Sequence, residues 1–117
     1  MKKDSIVYLQ DISDAIAKIE RYTYHMSFDE FIANHMCHDA VIKNLEVIGE
    51  AAHRLPKDFI HQNPSFPLKE TIDMRNFLIH DYSNIDLEIV WKTIKDDIPS
   101  LKDQIINLLG EKPTSAN

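Results

Sequence analysis

The chain has one cysteine, Cys37, and two glycines, Gly49 and Gly110, among 117 residues. A lone cysteine cannot close an intrachain disulfide, so a reducing cytoplasm is the simplest setting. Sheets and tight hairpins draw heavily on turn glycine, and its scarcity favours helices. No apolar run approaches the roughly 20 residues of a membrane span, and no signal peptide is visible. The expectation is a soluble cytoplasmic protein without membrane contact. An excess of positive charge is also missing. Thirteen basic residues face nineteen acidic ones, a formal net charge of −6. Residues 1–54 carry six basic and nine acidic side chains, and residues 55–117 carry seven and ten. With no basic tail or stripe, any nucleic-acid site must be local and sensitive to salt. No P-loop, dinucleotide fingerprint or Ser-His-Asp arrangement is present.

What is there reads as helix. The length suits one domain, and a domain of this size buries roughly two-thirds of its unfolded surface. Residues 4–24 place Leu9, Ile12, Ile16 and Ile19 on one helical face. Ser27-Phe28-Asp29-Glu30 has the form of a capping box and starts a short helix near 28–33. Residues 35–54 make the longest helical pattern, with Val41, Leu45, Ile48, Ala52 and Leu55 as its core stripe and Pro56 as its stop. Lys57 to Gln62 suits one short turn. Asn63-Pro64-Ser65-Phe66-Pro67 is the clearest break, after which Pro67 opens a helix reaching about His80. Asp81 to Ile85 reads as a connection. Asp86 caps a helix carrying Leu87, Val90, Trp91, Ile94 and Ile98, which Pro99 kinks or restarts before Leu101, Ile105 and Leu108 continue the apolar face. The expected architecture is all-α, an up-and-down bundle of four main helices plus short ones over residues 1–110. Gly110 ends it, and residues 111–117 are expected to be a disordered tail. The apolar stripes are wide enough to leave a face for a dimer.

The run Arg75-Asn76-Phe77-Leu78-Ile79-His80-Asp81-Tyr82 breaks the pattern. Leu68, Ile72, Ile79 and Tyr82 follow helical spacing, and Arg75 takes a slot where that stripe calls for an apolar residue. A guanidinium there is costly unless it is paired or lines a cleft, and such breaches tend to mark functional sites. At ~100° per residue, Arg75 and His80 sit about 140° apart on an ideal helix, so they converge only if the helix ends or distorts near His80, or if a second copy supplies half the site. Asp73, Asn76 and His80 form a second polar line. The residues alone admit two readings. In one, Arg75 pairs with a bundle carboxylate such as Glu50, and His80 caps a helix C-terminus. In the other, both belong to a reactive site.

Arg75-Asn76-x-x-x-His80-x-Tyr82 resembles the signature of the HEPN superfamily, and more narrowly of the HepT toxin ribonucleases, whose motif is Arg, four residues, His, one residue, Tyr. Lys43-Asn44-Leu45-Glu46-Val47-Ile48-Gly49-Glu50-Ala51 is similar to that family's second-helix motif, and Asp73-Met74-Arg75-Asn76 and Val90-Trp91-Lys92-Thr93-Ile94 also fit. The resemblance spans most of residues 5–108. It implies a HEPN-like bundle that dimerises with the motifs facing across the interface, and RNA cleavage with no metal and no cofactor. On this reading Arg75 clamps the scissile phosphate and His80 is the general acid or base. Asn76 orients His80 from one turn away, and Glu50 partners Arg75. The resemblance further implies a minimal nucleotidyltransferase as antitoxin, transferring AMP onto Tyr82 and blocking the site with a charged nucleotide.

Other candidates are weaker. His35, Cys37 and His38 lack a further ligand set with recognisable spacing, so no metal is assigned. Glu46 and Glu50 lie one turn apart and suit a solvated pair. Trp91 reads as core or interface packing rather than a base-stacking platform. The alternative function, favoured by the net charge of −6, is a non-catalytic helical adaptor that binds substrate for a nucleotidyltransferase.

Overall fold

The computed structural model describes residues 1–80 and 85–110, with residues 75–80 given by their helical backbone. Seven α-helices lie in the described residues: α1 Lys3–Tyr22, α2 Phe28–Ala33, α3 His35–His53, α4 Lys57–Gln62, α5 Leu68–His80, α6 Leu87–Lys92 and α7 Ile98–Leu109. No strand occurs among them. The tail 111–117 lies outside the described residues.

Local chemistry sets the boundaries. Thr23 ends α1, its N–H and hydroxyl both donating to the Ile19 carbonyl at 3.1 and 2.8 Å, and His25 then turns the chain with a left-handed φ of 56°. The capping box expected at Ser27 is present. Glu30 N–H donates to Ser27 Oγ at 3.1 Å, and Ser27 N–H donates to Glu30 Oε1 at 2.9 Å. Asn34 caps α3 by accepting from Cys37 N–H, and Asp86 caps α6 by accepting from Glu88 N–H, each at 2.9 Å. Gly110 closes α7 at φ 72°, a conformation open to glycine at little cost.

Between α6 and α7 the expected kink at Pro99 is a π-helical turn, Thr93–Asp97. Pro99 has no N–H to offer the Lys95 carbonyl. The helix widens just before it, so that Ile98 N–H reaches back five residues to Thr93 O. The apolar face thereby passes through the proline, and Ile94, Ile98, Leu101 and Ile105 are all buried.

The bundle is built around α3, which packs against α1 on one side and α5 on the other, while α1 also packs on α7. The molecule is 19 Å thick in its shortest direction, close to two helix diameters. Leu9, Ile12, Ile16 and Ile19 of α1 meet Val41, Leu45, Ile48 and Ala52 of α3 in the core, all at most 3% exposed. Three phenylalanines outside the helical stripes join them: Phe31, Phe59 and Phe66. Phe59 and Phe66 meet edge to face at 5.6 Å across the Pro-rich break. Trp91 is half-buried, stacking obliquely on Phe31 at 5.1 Å beneath the ammonium of Lys95, 4.5 Å from its ring. No described helix is long and apolar enough to cross a membrane.

Candidate active site

Residues 75–80 of the sequence motif lie on α5. Phe66 and Pro67 lead into the helix, and Thr71 completes its first turn by donating both its N–H and its hydroxyl to the Pro67 carbonyl, at 3.0 and 2.6 Å. Glu70 sits in the first turn, where the helix dipole favours an anion. Arg75 and Asn76 follow in the body of the helix, and His80 is its last residue. The side chains of Arg75, Asn76 and His80 lie outside the described residues, as does Tyr82 altogether. The expected pairing of Arg75 with Glu50 therefore falls outside them too.

Glu50 lies on α3, half-buried, and its Oε1 accepts from Arg54 Nε at 3.1 Å. The two occupy one groove. A depression of about 460 Å³ runs between α1 and α3, lined by Tyr8 and Asp11 from α1, by Lys43, Glu46, Val47, Glu50 and Ala51 from α3, and by Arg54 at the C-cap of α3. The α3 residues recur at steps of three and one, which is a single face of a helix. That face lies opposite Val41, Leu45, Ile48 and Ala52, so α3 presents core on one side and groove on the other. The sequence suggests a solvated pair for Glu46 and Glu50, with Glu50 also a partner for Arg75, and gives Lys43 and Arg54 no role of their own. The available signal was this second stripe, with Val47 and Ala51 as an apolar floor between charged rims.

The histidine–cysteine segment is structural. Cys37 is buried, its thiol donating to the Tyr22 carbonyl at 3.5 Å, and burial pushes its pKa up. His38 packs edge-on against Phe31 at 5.9 Å, with Nδ1 3.4 Å from Asp39 Oδ1. Among the described residues no cluster of three or more histidine, cysteine or carboxylate groups is arranged to hold a metal ion.

A helical bundle with an Arg-x4-His helix packed on a Gly-Glu-Ala helix defines a class of small α-domains, and the comparisons name it. Residues 12–108 match the sequence model of the family described as HepT-like, ribonuclease HepT-like. The chain is 43% identical over 108 residues to "Probable ribonuclease HepT" of Thermococcus cleftensis, covering 92% of this chain and 98% of that one. It is 42% identical over 114 residues to "Putative RNase MJ0125" of Methanocaldococcus jannaschii, covering 95% and 98%. A third relative, "Gamma-glutamylcyclotransferase and putative RNase MJ0434" of the same organism, is 38% identical over 117 residues, but this chain spans only 53% of its length. No solved structure matches. The chain belongs to the HepT-like ribonuclease family of the HEPN superfamily.

Proposed function

We propose that this protein is the toxin of a toxin–antitoxin pair, a dimeric endoribonuclease that needs no metal and is silenced by AMP transfer onto Tyr82. The observation that carries the reading is family membership across nearly the whole chain with Arg75, His80 and Tyr82 intact. RNA brings its own nucleophile. The 2′-hydroxyl oxygen attacks the adjacent phosphorus as His80 accepts its proton, the bond to the 5′-oxygen breaks, and that oxygen leaves taking a proton from water. Arg75 holds the phosphate and stabilises the charge gathered on its oxygens. The products are a 2′,3′-cyclic phosphate and a 5′-hydroxyl. Asn76 and Glu50 orient His80 and Arg75. AMP on Tyr82 places a phosphate beside the clamp and excludes RNA.

The test is the intact mass of the chain expressed with and without a nucleotidyltransferase encoded beside it, followed by incubation of the unmodified chain with RNA in chelator. The expected result is one or more adenylyl additions mapped to Tyr82 and cleavage leaving cyclic phosphate ends. Ends carrying 5′-phosphate would reject the chemistry. The net charge of −6 favours a second reading, the non-catalytic adaptor that binds substrate for the nucleotidyltransferase. A stable complex with no mass change and no cleavage by the free chain selects it.

A further inference from the structure

The groove between α1 and α3 has no part in the cleavage chemistry beyond Glu50. Its walls nevertheless hold two cations, three carboxylates and a phenol around an apolar floor. Lys43 on α3 and Arg54 at its C-cap are eleven residues apart on one face, about 16 Å along the helix at its usual rise. They stand toward the two ends of the groove, with Glu46, Val47, Glu50 and Ala51 between them and Tyr8 and Asp11 opposite. Three carboxylates make the interior unfit for a continuous run of phosphates. They suit groups that donate hydrogen bonds, and the cations at the ends suit single phosphates. A stretch of roughly two or three nucleotides of single-stranded RNA offers this combination, base edges bearing N–H donors between phosphates. The volume of about 460 Å³ also lies in the range of small-molecule sites.

We propose that this groove is a subsite for RNA flanking the cleavage centre, with Arg54 as a phosphate-binding residue and Glu46 and Asp11 as acceptors for base N–H groups. The inference rests on the ribonuclease reading, which puts the clamp on α5. Because α3 is sandwiched between α5 and α1, a strand crossing α3 passes from the clamp to the groove within one helix diameter, about 10 Å. The hydrogen bond from Arg54 Nε to Glu50 at 3.1 Å uses one of the five guanidinium donors and fixes the direction of the rest. Glu50 is then a positioning residue toward both helices. Val47 and Ala51 give the base an apolar surface, with the Tyr8 ring across the groove. Carboxylate acceptors select against uracil, whose edge presents carbonyl oxygens on both sides of its single N–H. Guanine, adenine and cytosine each bring an amino group and are the bases expected there.

The experiment uses the full chain and a fluorescently labelled single-stranded RNA oligonucleotide. Binding is read by anisotropy in a His80→Ala background, and cleavage positions are mapped with wild-type catalytic residues on a randomised RNA. Arg54→Ala is expected to weaken binding about tenfold, the loss of one charge-assisted hydrogen-bonded contact. It should also lower the slope of log affinity against log salt by about 0.7, and Arg54→Lys should recover part of both. Glu46→Gln combined with Asp11→Asn should erase a bias against uracil at one position beside the cut. A circular dichroism melt confirms folding, and the Arg54→Lys variant keeps the test open if Arg54→Ala unfolds. Unchanged affinity, slope and cleavage pattern in all three variants would overturn the proposal, as would variants that lose only the complex with a protein partner. A wild-type chain that binds RNA through Arg54 but never cuts it refutes the ribonuclease reading and leaves the subsite standing.

Discussion

At the scale of single residues, the functional claim rests on two side chains that a bare bundle would not choose. Arg75 takes an apolar slot in the sequence pattern of α5, and His80 is the last residue of the Leu68–His80 helix. Neither is needed to form the helix. Their replacement should therefore separate folding from activity. His80→Ala should lower RNA cleavage by about a hundredfold or more, the usual contribution of a positioned acid or base, and Arg75→Ala by a similar factor through loss of charge stabilisation. Both variants should melt within a few degrees of wild type and should no longer arrest growth. Retained toxicity in both would remove the assigned chemistry. The run at 75–82 was legible in sequence because a charge inside a hydrophobic period is visible in one dimension. Arg54, Tyr8 and Asp11 were not, because they become neighbours only when α1 packs on α3. Lys43 and Arg54 also look like ordinary solvated cations when read alone.

At the scale of elements, the helices were legible because each announces its own ends. Ser27 with Glu30, Asp86, Pro56 and Gly110 all act through backbone hydrogen bonds or allowed dihedral angles within a few residues. What escaped was the π-helical turn at Thr93–Asp97 and the burial of Phe31, Phe59 and Phe66. The turn follows from a missing N–H at Pro99 combined with the need to keep Ile94 and Ile98 on one face, a compromise set by the core. The phenylalanines sit on elements too short to show a period, so only tertiary packing reveals them. The box at Ser27 gives the element-scale prediction. Ser27→Ala removes the acceptor for Glu30 N–H and should cost about 1 kcal/mol, read by denaturant unfolding with an unchanged m-value. The Ser27 N–H and hydroxyl hold the Glu30 carboxyl below its usual pKa. A group depressed in the folded state lends stability above its unfolded pKa and loses it as pH falls through the folded value. The larger, main-chain part of this survives in Ser27→Ala, so the difference from wild type should shrink only by the hydroxyl's smaller share on acidification below the ordinary carboxylate range, and stay constant above it.

At the scale of the whole molecule, the difficulty is charge. A chain of net charge −6 repels RNA at long range, so cleavage needs cations concentrated where the phosphate sits. One motif supplies a single guanidinium. Two motifs facing across a two-fold axis supply two, along with two imidazoles, in a common cleft, and an isologous interface produces that pairing from one surface. On this arrangement the solution mass should be twice the 13.6 kDa of the chain. The sharper check is complementation. A dimer formed from one Arg75→Ala chain and one His80→Ala chain keeps one guanidinium and one imidazole in the shared cleft. It should recover cleavage that neither parent dimer shows. Purification through two different affinity tags isolates the mixed species, and its activity is compared with both parents at equal dimer concentration. Recovery means that the working pair is drawn from two chains, and the ~140° separation on an ideal helix then carries no penalty because no single helix needs to bridge it. A silent mixed dimer would confine each Arg75–His80 pair to one chain.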